Sequence, residues 1–225
     1  MARRIKKEVQ KKIVAVEQIL HGVYGELACF LIHENPFQLL VATILSAQCT
    51  DKKVNKVTPA LFERYPDAAA FAEARQEDIE ELIHECGFYH AKALHIIGAS
   101  RMIMEEYGGQ VPADMESLTR LPGVGRKTAN VVLGDAFQVP GLPVDTHVKR
   151  LCNLLGFVKT QDTEKIEQIL CQALPPEKWA QFSHQLIMHG RVRCPARRPD
   201  CANCELAEYC DHATAQNTEK RLKGS

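Results

Sequence analysis

Residues Leu121-Pro-Gly-Val-Gly-Arg-Lys-Thr-Ala-Asn130 set a proline and two glycines between two segments of helical character. Asp114 to Thr119 reads as a short helix, Leu121 to Gly125 as a tight turn and Arg126 to Phe137 as a second helix. The unit is a helix-hairpin-helix. Backbone without β-carbons at Gly123 and Gly125 can approach a phosphate closely and aim N–H groups at it, beside the positive end of the following helix. Such a site grips a DNA backbone without reading its sequence. A Gly-x-Gly turn alone is equally an ordinary helix connection; Arg126 and Lys127, following at once, favour the anion.

Outward from the hairpin, helical periodicity dominates and no segment alternates convincingly as a strand. Val9, Ile13, Val16 and Leu20 fall on one helical stripe. Ile166, Ile169, Leu170, Ala173 and Leu174 do the same, behind a Thr163 cap and before Pro175-Pro176. Phe37 to Ala47 is apolar nearly all round, which suits a helix at the centre of a domain. Turn signals at Pro66-Asp67, Gly87, Gly108-Gly109 and Pro140 to Pro143 cut the chain into short helices with short connections. The fold class is therefore all-α. With 225 residues, 45% hydrophobic and 25% charged, the chain suits one or two compact domains that need no disulfide scaffold.

Lys+Arg and Asp+Glu both number 28, so there is no general attraction to nucleic acid. The distribution is uneven. Ala72 to Glu85 holds six acids against Arg75, whereas Ser117 to Gly134 has Arg120, Arg126 and Lys127 with no acid before Gly134. Arg191, Arg193, Arg197 and Arg198 form a second basic cluster, and footprints of this kind need only be local. Met1 to Lys12 is basic and polar rather than signal-like, and the apolar run Asn35 to Thr50 is broken by Gln38, Ser46 and Gln48. The expectation is a soluble, cytoplasmic protein with reduced thiols, with no membrane partner.

Nine cysteines then need an explanation. Cys194, Cys201, Cys204 and Cys210 crowd one short stretch, and four neighbouring thiols in a reducing compartment point to metal binding. The spacing has one Cys-x-x-Cys pair only, so zinc and iron-sulfur both remain open on this ground. Cys29, Cys49, Cys86, Cys152 and Cys171 are scattered among apolar residues and read as buried bystanders.

Leu121 to Asn130, Val144-Asp-Thr-His-Val-Lys-Arg150 and Leu45-Ser-Ala-Gln-Cys-Thr-Asp51 together resemble the endonuclease III family of helix-hairpin-helix DNA glycosylases, over about Pro36 to Cys210. The resemblance implies a six-helix barrel over 29–139, a second helical domain built from 1–28 and 140–225, and duplex DNA across the cleft between them. It chooses a [4Fe-4S] cluster on Cys194, Cys201, Cys204 and Cys210. It implies that Lys127 attacks the sugar C1′ and Asp145 assists, excising oxidised pyrimidines of the thymine glycol type and then cleaving the strand by β-elimination. Gln48 would fill the gap left by a flipped base, and Phe88, where many relatives carry Leu, would be the apolar wedge.

The residue types suit those roles. Lys127 falls in the first turn of a helix, where the dipole disfavours a cation and favours the free amine that a Schiff base requires. Asp145 is placed to cap the helix starting at Thr146, which keeps the carboxylate ionised for stabilising oxocarbenium-like charge. Arg197 and Arg198 would meet phosphate from the loop Pro195 to Pro199. His147 reads either as a DNA contact or as a capping-turn histidine, and Arg3 to Lys7 as a DNA-holding arm or a solvated helix face. Two alternatives stand beside this reading. A mispair adenine glycosylase lacks a lysine at the position of Lys127, and a non-enzymatic iron-sulfur DNA clamp has no need of Lys127 and Asp145 together. The expected partner is double-stranded DNA carrying damaged bases or abasic sites, and the expected state is monomeric.

Overall fold

A computed structural model describes residues 5–223, and among these there is no strand. Arg3 and Arg4 of the basic start lie outside the described residues. The chain divides into two compact units, Cys29–Gly141 and Met1–Ala28 with Leu142–Ser225. Among the described residues, no helix is long and apolar enough to cross a membrane.

Helix α1 (Lys7–Tyr24) belongs to the second unit. The Cys29–Gly141 unit contains α2 (Pro36–Leu45), α3 (Asp51–Arg64), α4 (Ala68–Ala72), α5 (Gln76–Ile83), α6 (Tyr89–Tyr107), α7 (Met115–Arg120) and α8 (Arg126–Ala136). Asn35 starts α2 by accepting from the Gln38 N–H at 2.9 Å, with Pro36 preset for the first turn. Every residue from Phe37 to Leu45 is buried, as an all-round apolar helix requires. It ends two residues earlier than its composition suggests, because the polar stretch beginning at Ser46 leaves the helix. Around it α3, α6 and α8 pack, sharing a core in which Leu39, Leu45, Phe71, Ile79, Ile96 and Ile103 are fully enclosed. Each such side chain contributes about 1.5–3 kcal/mol by leaving water.

The hairpin rides on α6. A Cβ on Gly98 of that helix would stand 3.2 Å from Cγ of Pro122, so the glycine lets the turn settle against the helix. Asp114 caps α7 through the Ser117 N–H, and Leu118, Leu121 and Val124 anchor the hairpin in the core.

The second unit joins α1 to α9 (Thr146–Leu154), α10 (Thr163–Ala173), α11 (Trp179–Val192) and α12 (Asp211–Lys223). Helix α11 packs on α1 and α9. Ile13, Val16 and Leu20 of the α1 stripe are buried, while Val9 is only half-buried. The cap of α10 is Asp162, one residue before the expected Thr163; its carboxylate accepts from the N–H groups of Glu164 and Lys165.

Candidate functional site

Gly123 and Gly125 are glycines for different reasons. Gly123 has φ 77, and a Cβ there would lie 2.8–3.0 Å from Cβ, Cγ and Nδ1 of His95 on α6. Its need is internal to the turn rather than for approach of a ligand. Gly125, at φ −94, has nothing within 4 Å of where a Cβ would stand. It also begins α8 with no side-chain cap, on an exposed stretch of backbone. Arg126 and Lys127 are exposed on that first turn. Arg120, which the sequence grouped with them, instead pairs with Glu106 at 2.8 Å.

Asp145 is the N-cap of α9 and accepts from the Val148 N–H at 2.8 Å, half-buried with its carboxylate fixed. The segment leading to it is pinned where Ser183 Oγ donates to the Pro143 carbonyl at 2.6 Å. His147, in the first turn of α9, is half-buried, and its Nδ1 finds no hydrogen-bond partner among the described residues. Burial is the main cause holding its pKa below the ordinary imidazole value; Arg150 and Arg191 add to this and Asp145 opposes it. His147 lines a concavity with Arg150, Gly190, Arg191 and Pro195. Gly190 makes the room, since a Cβ there would meet Nδ1 of His147 at 2.9 Å.

Gln48 and Phe88 share an uncommon backbone. Both are exposed and both have positive φ, 52 and 60. An exposed Phe in a left-handed conformation is costly by ordinary rules, and such residues concentrate where function holds them. Phe88 is 67% exposed, so the bland expectation that an isolated Phe belongs to a core does not apply. Sequence reading gave no individual role to two residues beneath these turns, His95 under Gly123 and Lys92 of α6, because their partners are set by tertiary packing.

Cys194, Cys201, Cys204 and Cys210 all line one pocket, walled by Leu151, Leu154 and Leu155. All four are half-buried, and none of the nine cysteines is in a disulfide. Arg150 Nη1 donates to Cys194 Sγ at 3.6 Å, and His189 Nε2 lies 3.4 Å from Cys204 Sγ. Four cysteines lining one pocket with apolar walls fit ligation of a cluster better than of a single ion, since the four sulfurs do not all crowd within 4.8 Å of one another. Arg197 and Arg198 are exposed on the loop that leaves the first cysteine. Arg193 is not part of a free cationic cluster: it pairs with Asp200 at 2.8 Å and Glu205 at 3.0 Å.

The glycine turn between α7 and α8 makes this a helix-hairpin-helix protein. Residues 41–176 match the family model described as HhH-GPD superfamily base excision DNA repair protein. Endonuclease III of Synechocystis sp. is 52% identical over 218 residues, 96% of this chain and 100% of that protein. Endonuclease III of Escherichia coli K12 is 43% identical, covering 79% of this chain and 84% of its own. A solved non-covalent endonuclease III-DNA complex superposes with a TM-score of 0.89 at 40% identity, over 93% of this chain and 98% of that one. The structure of a trapped endonuclease III-DNA covalent intermediate also gives 0.89 at 40% identity, over 92% and 98%. The chain belongs to the endonuclease III family, and it is a DNA glycosylase with abasic-site lyase activity.

Proposed function

We propose that this enzyme removes oxidised pyrimidines of the thymine glycol type from duplex DNA, with Lys127 as nucleophile and Asp145 as its assisting carboxylate. The observation that carries the reading is an exposed amine on the first turn of α8, directly behind a glycine-lined helix N-terminus with no side chain over it. That N-terminus holds a phosphate of the damaged strand through Gly125 and its neighbours, and so delivers a sugar to Lys127.

Nζ of Lys127, as the free amine, forms a bond to C1′ while the bond from C1′ to the base breaks, and the base leaves with that electron pair and a proton. The Asp145 carboxylate stabilises the positive charge that develops on the sugar and accepts the proton the amine must lose. Ring opening gives an imine between Nζ and C1′. Loss of a C2′ proton then expels the 3′ phosphate by β-elimination, and water releases the lysine. Gln48 fills the vacated stack and Phe88 wedges the neighbouring step, at a flipping cost of a few kcal/mol that damage reduces. His147, Arg197 and Arg198 contact the backbone.

Cys194, Cys201, Cys204 and Cys210 would hold a [4Fe-4S] cluster, which brings one-electron redox capacity and ties their segment together. As a free thiol, Cys204 is pushed up to about 11, chiefly by burial, so a cationic centre suits its thiolate form. The protein works inside the cell as a monomer, with one face left for DNA.

Borohydride added during turnover on a thymine glycol duplex tests the assignment. The expected result is a covalent protein-DNA adduct and strand nicking with the wild type, no adduct with Lys127→Ala, and no nicking of a plain adenine mispair. An adduct formed by Lys127→Ala overturns the nucleophile, and absence of nicking at thymine glycol overturns the lesion class.

A further inference from the structure

Leu45 closes α2, and its carbonyl is one of the four at a helix end without a partner inside the helix. It accepts a hydrogen bond from Nζ of Lys92 at 2.8 Å. Lys92 lies in the first turn of α6, and its own N–H donates to the carbonyl of Phe88 at 3.1 Å. One residue thus joins the turn after α2, which carries Gln48, to the turn before α6, which carries Phe88. Those turns hold two of the three non-glycine residues with positive φ among the described residues.

The joint is buried. Lys92 is 4% exposed, although its amine could reach water from most surface positions. Cys49 and Cys86, one from each turn, lie close enough to Lys92 to influence its charge. The negative end of α2 attracts the ammonium, but desolvation works against it and holds Lys92 below the ordinary lysine value. A Met or Leu would fill the same space without that cost, and buried charges of this kind are weak contributors to stability. What an apolar side chain cannot supply is a directional bond across the two turns.

We propose that Lys92 is a positioning residue for base extrusion: it fixes the Gln48 turn against the Phe88 turn, so that gap-filler and wedge enter the duplex in one register. The inference rests on the reading of Gln48 and Phe88 given above. Both side chains are exposed, so register between them depends chiefly on their backbones. Misplacement by about 1 Å at such a site costs up to ~100-fold in rate.

A double-mutant cycle tests the proposal, read by 2-aminopurine fluorescence beside a non-cleavable lesion analogue and by single-turnover excision. Lys92→Met is expected to slow both by roughly tenfold in the wild-type background. In a Gln48→Ala/Phe88→Ala background it should add less than about twofold, because there is nothing left to register. A merely structural lysine would cause the same loss in both backgrounds, and that result overturns the proposal, as does no loss in the wild type. If Gln48→Ala/Phe88→Ala alone extrudes normally, the filler-and-wedge reading falls and takes this inference with it, a result distinct from failure of Lys92 alone. Should Lys92→Met not fold, Lys92→Gln, which keeps a shorter donor, enters the same cycle with the same expected pattern.

Discussion

Replacing each hairpin glycine by alanine should separate folding from DNA binding. At Gly123 the alanine must adopt φ 77, which costs about 1–2 kcal/mol for an L-residue. Its Cβ would also lie 2.8 Å from Cβ of His95, an atom fixed to the backbone of α6 that cannot swing aside. Overpacking of this kind costs about 1–3 kcal/mol, so the sum is roughly 2–5 kcal/mol. For a chain of this size that lowers Tm by about 4–20 °C. His95→Ala should restore only part of the loss, since it removes Cγ and Nδ1 but leaves the 2.8 Å contact. At Gly125 the new methyl meets nothing and φ is −94, so the only cost is a poorer N-cap, under about 1 kcal/mol. On the proposed reading, the same methyl stands where a phosphate approaches. Loss of one charge-assisted hydrogen bond, about 1.5–3 kcal/mol, weakens DNA binding tenfold or more. Thermal unfolding by circular dichroism and fluorescence anisotropy on an abasic-analogue duplex measure the two quantities. Equal Tm losses, or a Gly125→Ala variant with full affinity, would refute the division of labour.

Three further outcomes are expected. Asp145→Ser keeps an acceptor for the Val148 N–H, so Tm should move by no more than a few degrees, yet strand cleavage should fall about 100-fold because the charge is gone; undiminished cleavage would remove Asp145 from the chemistry. Phe88→Gly relieves a left-handed conformation at an exposed position, so it should stabilise the fold by about 1 kcal/mol in urea unfolding while slowing excision. Hydrogen bonding to Arg75 holds the Asp78 carboxyl below its ordinary value. Its contribution is thus present above the unfolded-state value near 4 and lost as pH falls through the lower folded value; in Tm measured from pH 5 to pH 2.5, Asp78→Asn should flatten the acid limb, and an unchanged limb would exclude this pair.

What was legible in the sequence was local. The hairpin showed itself because proline fixes the backbone and glycine admits turns closed to other residues wherever they stand, and the Asp145 cap because capping is decided within three residues. The cap of α10 was missed by one position, since Asp162 and Thr163 are both competent and the choice depends on how the chain arrives. The basic clusters were overcounted for a different reason. Arg120 and Arg193 find their acids 14 and 12 residues away, at Glu106 and Glu205, and no charge run reveals a partner brought in by a fold. His95 and Lys92 were invisible as site residues on the same ground: their meaning lies in what they touch.

Strain adds an argument that neither motif nor resemblance supplies. Of the three non-glycine residues with positive φ among the described residues, Gln138 has a structural account, since it follows the end of α8 and the Val139 N–H then returns to the Leu133 carbonyl. Phe88 has none of that kind. It opens α6 in a left-handed conformation without a side-chain cap, although Gly87 stands just before it and a helix start calls for Ser, Thr, Asp or Asn. Glycine at position 88 would remove the strain, and burying the ring would recover about 1.5–3 kcal/mol. The chain does neither, and it places the buried Lys92 so that its N–H holds the Phe88 carbonyl. A large apolar ring kept in water at the cost of backbone strain is stable only against a surface that the folded chain itself does not provide, and the face of an opened base step is such a surface.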